Sequence, residues 1–318
     1  MTRRRGLAGA VAVGFAAALG GCGFGPGPSS SGTATLTVTR DYGSRTLVHA
    51  TDAGPPESET VVRLLDREAQ ITTRYGGRFV QSIDGVGGAE RGGRRYDWFF
   101  YVNGIESPVG AADVRVRGGD RIWWDYRDWT NAMRVPAVVG SWPEPFAQAS
   151  TPAAERLPVR VECATGRPVC RLVADRLARA GVDAAIDPFG THRGGNSLEL
   201  LVGPWRAIRR DPAASLRGPA ASGVFATFKG STGERYQLIV ADPHAQPRQA
   251  LGPHAGLVAS VSGGAQPPTW LVTGTDVAGV RTAADHLDVR DLRDRYAVAA
   301  PAHGAPFGVP VRPAEGGS

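Results

Sequence analysis

A chain of 318 residues has room for two ordinary domains, each with its own core. With 42% hydrophobic and 21% charged residues it is globular rather than disordered or fibrous, and 43 glycines and 24 prolines promise many turns. The net charge of +6 rests almost wholly on arginine, Lys229 being the one lysine; no dense arginine patch is interleaved with aromatics, so no nucleic-acid partner is expected.

The first 22 residues read as an export signal. Arg3-Arg4-Arg5 is a positive n-region, Leu7 to Leu19 an apolar stretch of small residues, and Leu19-Gly20-Gly21-Cys22 has the form of a lipobox. The stretch is short for a membrane span, and Cys22 stands where lipidation requires it. Residues 1–22 are therefore expected to be a lipoprotein signal peptide, with Cys22 lipidated and the protein held on the extracytoplasmic face of the cell membrane. Thr2 to Leu7 also loosely fits a twin-arginine signal. Residues 23–32 are Gly, Pro and Ser with one Phe, a flexible tether.

Thr33 to Thr39 alternates as a strand, turns at Arg40 to Ser44, and returns over Arg45 to Ala50. Glu57 to Gln70 places Val61, Val62, Leu64, Leu65 and Ala69 at helical spacing, with Ser58 or Glu59 near the start. Phe79 to Ile83 reads as a strand and is followed by a glycine-rich loop to Arg95. Then comes a run of aromatic and β-branched residues, Tyr96 to Val102, ending in Asn103-Gly104, a strong hairpin signal. Gly118-Gly119-Asp120 turns into a second aromatic strand, Arg121 to Tyr126. Five of the seven tryptophans lie between Trp98 and Trp142.

The run Trp98 to Gly104, the small residues at Gly110-Ala111, and Gly119-Asp120-Arg121-Ile122-Trp123-Trp124-Asp125-Tyr126 resemble the transcobalamin-type C-terminal domain found in bacterial surface proteins. That resemblance implies a β-grasp over 33–128, a mixed sheet curling over one helix. It also implies a ligand surface on the sheet, with cobalamin or a similar flat corrinoid as a possible ligand. The helical barrel that faces the ring in vitamin B12 carriers has no counterpart in this sequence. The residues expected at such a surface are Phe99, Tyr101, Asn103, Trp123, Trp124 and Tyr126.

Strand alternation sends Trp98, Phe100 and Val102 one way and Phe99, Tyr101 and Asn103 the other; likewise Ile122, Trp124 and Tyr126 oppose Trp123, Asp125 and Arg127. One set packs on the helix. The other is either an exposed patch, which soluble proteins rarely leave unused, or is covered by the second domain; the sequence leaves both open. Asn103 reads more as a turn former than as a ligand contact.

Residues 129–156 read as a linker in which Trp142-Pro143-Glu144-Pro145-Phe146 pins the chain to a neighbouring domain. A second domain, α/β in pattern, is expected over 157–300, giving an α+β chain overall. Its strands are Val159–Glu162, Leu198–Val202, Val224–Phe228, Tyr236–Val240, Leu257–Val261, Thr269–Thr275 and Tyr296–Ala299. Its helices run from Pro168 to Ala180, with Gly181 as stop, from Arg206 to Leu216 with a break at Pro212, and from Asp276 to Leu287. The units beginning at Leu198 and Trp270 look weakly duplicated. Outside the cytoplasm Cys163 and Cys170 are expected to form a disulfide. Residues 301–318 read as a disordered tail.

The six histidines show no metal-ligand spacing, so no metal is expected. Thr273-Gly274-Thr275-Asp276 lacks the glycines and lysine of a phosphate loop and reads as a helix cap. Asp242 beside His244 reads as a turn. No nucleophile elbow is present, and an enzyme is not expected. The sequence points to a lipid-anchored ligand-binding protein that hands its ligand to a membrane importer, or, alternatively, to a cell-envelope module recognising a protein or glycan.

Overall fold

The computed structural model describes residues 29–148, 156–191, 196–230, 235–262 and 267–312. The stretches expected to be a signal peptide ending at Cys22 and a tether up to residue 28, together with residues 149–155 and 313–318, lie outside these. Among the described residues no helix is long and apolar enough to cross a membrane.

Alternating Thr, Ala, Leu and Val make Thr33–Arg40 a strand (β1), paired antiparallel with Arg45–Ala53 (β2). The helix that follows (α1) spans only Val61–Glu68, because Thr60 caps it: the Arg63 N–H donates to the Thr60 hydroxyl at 3.4 Å. The expected start near Ser58 is thus a turn too early. Next come β3 (Ile71–Arg74), β4 (Phe79–Ile83), β5 (Val86–Gly87), β6 (Ala89–Arg91), β7 (Arg94–Val102), β8 (Ile105–Glu106) and β9 (Arg121–Asp128). The region expected as a loop before Arg95 holds two short strands, β5 and β6. Glycines in and beside β5 and on either side of β6 (Gly85, Gly87, Gly88, Gly92 and Gly93) break the alternation that marks longer strands.

Asn103 and Gly104 both take positive φ (53° and 77°) and close a two-residue turn. That turn joins β7 only to the two-residue β8; the long antiparallel partner of β7 is β9, with Trp98 opposite Tyr126 and Phe100 opposite Trp124. Because β9 also runs parallel to β1, the sheet is mixed, in the order β2-β1-β9-β7-β6. Its front face packs Leu36, Val38, Trp98, Ile122 and Trp124 on Val61, Leu64 and Leu65 of α1. Each such aliphatic side chain, once buried, contributes about 2 kcal/mol.

The second unit contains β10 (Val159–Cys163), α2 (Arg167–Arg179), β11 (Ala184–Pro188), β12 (Leu198–Pro204), α3 (Trp205–Ile208) and α4 (Pro219–Ser222). It continues through β13 (Ala226–Lys229), β14 (Gln237–Ala241), β15 (Pro247–Leu251), β16 (Gly256–Val261) and β17 (Thr269–Gly274). The last elements are α5 (Val277–Asp285), α6 (Val289–Leu292), β18 (Ala297–Ala300) and β19 (Phe307–Val309). Seven strands form one sheet in the order β11-β10-β12-β17-β16-β18-β19, parallel through β17 and antiparallel beyond. The two look-alike units place β12 and β17 side by side. Helices α2 and α5 cover one face through Val173, Leu177, Val280 and Ala283. The Cys163–Cys170 disulfide joins the end of β10 to the first turn of α2, with Cα atoms 5.9 Å apart.

Three expectations are corrected. The helix over Arg206–Leu216 is only the single turn α3 and a 3₁₀ turn at Pro212–Ala214, because Pro212 ends α-helical bonding and Asp211 caps the Ala213 N–H. The tail is ordered through residue 312: β19 pairs with β18, and the Val311 N–H donates to the Ala241 carbonyl at 2.9 Å. The described part of the stretch read as a linker, up to residue 148, contributes to the core, with Ala132, Val135 and Val138 buried against one side of the larger sheet and Val139, Trp142 and Phe146 against the other. The Phe146 ring meets Trp270 edge-on at 5.0 Å, which is the pinning that the Trp-Pro-Glu-Pro-Phe run foreshadows.

Candidate functional site

The six residues expected on a ligand surface do not share one. Trp124 and Tyr126 lie on the helix-covered face, among the side chains packed on α1. Tyr101 and Trp123 face the other way, fully buried against Tyr296 of the second unit, and Phe99 is half-buried at the edge of the same cluster. Strand alternation imposes this split. Asn103 is buried in its turn, donating to the Asp120 carboxylate at 2.8 Å and accepting from the Arg121 N–H at 2.9 Å, as its reading as a turn former implies. The rear aromatic face is covered by the second unit.

At the centre of that junction sits Asp125, fully buried. One carboxylate oxygen accepts from the Thr39 hydroxyl at 2.6 Å and the Gly43 N–H at 3.1 Å; the other accepts from the Tyr42 N–H at 3.0 Å and the Tyr296 hydroxyl at 2.9 Å. Burial pushes its pKa up to about 6, against these four donors. Two positions along, Arg127 is also fully buried; it lies over the Phe99 ring at 3.8 Å and donates to the Ala132 carbonyl at 2.6 Å and the Met133 carbonyl at 3.3 Å. Its charge therefore ties the rear of the sheet to the stretch read as a linker. At the rim, Arg94 pairs with Asp128 at 3.0 Å and meets His244 of the second unit.

Around this network the two units leave a cleft of about 380 Å³. The first unit contributes the β1–β2 turn, Asp41-Tyr42-Gly43-Ser44; the second contributes Arg293 to Tyr296, Gly308 to Pro310, Pro243 and Arg312. Asp41, Tyr42 and Gly43 all take positive φ (57°, 60° and 78°). For a tyrosine that conformation is strained. It is held by the Asp125 carboxylate on its N–H, by its own hydroxyl donating to the Asp128 carbonyl at 2.5 Å, and by Phe225 and Tyr296 packed edge-on against its ring. Gly43 is obligatory for a second reason: a Cβ there would lie 1.8 Å from the Asp294 carbonyl oxygen. Tyr42 and Tyr296 are the buried walls, while Arg293 and Arg312 are exposed at the mouth with Arg295 half-buried between them. Nothing in the local sequence marks this cleft, because its walls come from residues about 250 apart in the chain.

The remaining candidates resolve into structural roles. Asp242 closes a turn by accepting from the His244 N–H at 2.8 Å and the Gln246 N–H at 2.9 Å. Asp276 caps α5 through the Gly279 N–H at 2.8 Å. Among the described residues no group of three or more His, Cys, Asp and Glu side chains is placed to hold a metal.

No curated protein matches the chain. Residues 58–128 match the family model described as a domain of unknown function (DUF4430), a stretch that runs from just before α1 to the last residue of β9 and is consistent with the transcobalamin-like resemblance of the same strands.

Proposed function

We propose that the chain is an exported, lipid-anchored binding protein of the extracytoplasmic face, without catalytic activity, in which a transcobalamin-like β-grasp is locked onto an α/β unit. Its ligand is a small anion, or the anionic end of a glycan or peptide, held in the junction cleft. One observation carries this reading: the aromatic face that a flat ligand would need is spent on the junction, and the concavity left beside it is rimmed by Arg293, Arg295 and Arg312. Guanidinium groups at the mouth of a polar cleft recognise carboxylates and phosphates with fixed geometry. Asp41, Asp294 and Ser44 supply acceptors and a hydroxyl for the neutral remainder of the ligand. The corrinoid reading requires the junction to open and release Tyr101 and Trp123, so the envelope-recognition alternative is the stronger one.

The Trp123 ring stands directly behind Gly43 and meets Tyr296, a wall of the cleft, edge-on at 5.3 Å, so tryptophan fluorescence reports on the cleft. Titration of the full chain with uronic acid oligosaccharides, short peptides with free C-termini and a corrinoid distinguishes the readings. The expected result is a saturable change with an anionic ligand that falls at least tenfold in affinity in Arg293→Ala/Arg312→Ala. A response to the corrinoid alone, or one unchanged in the double variant, overturns the proposal.

A further inference from the structure

We infer that the end of the first unit where the tether enters is a membrane-contacting surface, seated on an anionic lipid bilayer through Tyr75, Phe79 and Val109. The inference rests on lipidation of Cys22 and is independent of the junction cleft. These three are the large hydrophobic residues left most open on the first unit, at 77%, 42% and 51% exposure. Tyr75 and Phe79 flank the tip of the β3–β4 hairpin. Val109 lies in the loop that packs against that tip: the Ala111 N–H donates to the Arg78 carbonyl at 3.3 Å, Arg78 pairs with Asp113 at 2.8 Å, and Gly110 is pressed on the Arg78 backbone.

The same loop leads back to the tether. Its backbone runs beside the start of α1, with the Val61 N–H donating to the Val114 carbonyl at 3.0 Å and the Val116 N–H to the Glu59 carbonyl at 3.1 Å. It ends at Gly118, whose N–H donates to the Ser30 hydroxyl at 2.9 Å. Hairpin tip, loop and tether entry therefore occupy one end of the unit. Six residues lie between Cys22 and Ser29, and the seven chain steps that join them hold the bilayer of a lipidated cysteine within about 25 Å of that end.

The chemistry of this end suits lipid. A tyrosine and two apolar side chains clustered on hairpin and loop tips match the headgroup boundary, where amphipathic rings settle. Arg74, Arg78 and Arg115 are exposed around them, against Asp113 and Glu57. The excess positive charge favours an anionic leaflet, and the long arginine stems reach headgroups while the apolar tips enter. An apolar patch rimmed by cations and held close to a bilayer by a covalent anchor has that bilayer as its nearest partner.

The test uses the full lipidated chain reconstituted in vesicles. Cys22 carries lipid and Cys163–Cys170 is oxidised, so Tyr75→Cys, Val109→Cys and, as control on the second unit, Val277→Cys each offer one free thiol for an environment-sensitive fluorophore. In phosphatidylglycerol-containing vesicles the label at 75 and 109 is expected to shift to the blue and be quenched by spin-labelled lipid, while that at 277 stays aqueous. Arg74→Glu/Arg78→Glu is expected to reduce the quenching at 75 severalfold. Labels at 75 and 109 that remain as aqueous as the control on an anchored protein overturn the inference. Labels shielded before any lipid is added, in proportion to protein concentration, overturn it in favour of a second copy. Mass spectrometry of the N-terminal peptide separates these results from failure of the anchor: an unlipidated Cys22 removes the premise, and the inference falls with it.

Discussion

Replacing Asp125 with asparagine tests the buried network at the junction. The carboxyl titrates at about 6 in the folded chain, raised chiefly by burial from an ordinary value of 3.8. A folded value above the unfolded one means that the folded state holds the proton more tightly. The group's stabilisation is therefore complete below about pH 4 and is lost as pH rises through about 6. At about 1.4 kcal/mol per pH unit, the difference between the two limits is about 3 kcal/mol. Asparagine keeps the shape and removes the titration. It also meets a geometric conflict: each carboxylate oxygen takes one backbone N–H, from Gly43 and from Tyr42, so either amide orientation strands one of them, at about 2 kcal/mol. Asp125→Asn should therefore cost about 2 kcal/mol at pH 7.5 and about 5 kcal/mol at pH 4. Urea unfolding of both proteins at both pH values, followed by tryptophan fluorescence, reads the difference. Other titrating groups are common to both chains and cancel. An equal cost at the two pH values would refute the argument.

Three further outcomes are expected. Glu144, pushed up to about 7 by burial, carries the same sign: its contribution is present below about pH 4.5 and lost through 7, so Glu144→Gln should gain about 3 kcal/mol relative to wild type between pH 4.5 and pH 8.5 in the same unfolding assay. Gly43→Ala places a Cβ against the Asp294 carbonyl and the Trp123 ring at positive φ; a loss of about 3 kcal/mol or more should appear as a lowered Tm, and an unchanged Tm would show that the junction yields there. The eight-residue loop closed by Cys163 and Cys170 should contribute about 2 kcal/mol, so reduction and alkylation should lower Tm by a few degrees; uptake of thiol label by both cysteines without reduction would contradict the bond.

The sequence carried the local pattern well and the long-range pattern poorly. Alternation located β1, β4, β7 and β9 within a residue or two, and Pro168 and Gly181 framed α2, because strand period and cap chemistry are written in neighbouring residues. Short strands such as β5, β6 and β11 escaped, since two to five residues carry too little period. The faces of the aromatic strands were separable by alternation, but which face stays open depends on Tyr296, 171 positions beyond Asp125, and no local signal reports it. The linker misled for a related reason. Proline and alanine suggest a flexible connection, whereas Trp142 and Phe146 supply enough apolar area to bury it. The candidate cleft was illegible, assembled from four separate stretches of chain whose arginines look like ordinary surface charge.

The hydrogen bond from the Tyr296 hydroxyl to Asp125 also sets a timetable. On the export route proposed above, a chain that crosses the membrane N-terminus first would deliver β1 through β9 long before residues 293–312 arrive. Through that interval the rear face of the first sheet presents Tyr101 and Trp123 to the surroundings, and the Asp125 carboxylate lacks its Tyr296 donor. The early intermediate is thus a half-covered sheet with an open aromatic face, the kind of surface that recruits chaperones or other nascent chains. Export in an already folded state avoids that exposure, whereas threading export leaves it open until the last strands add to the larger sheet.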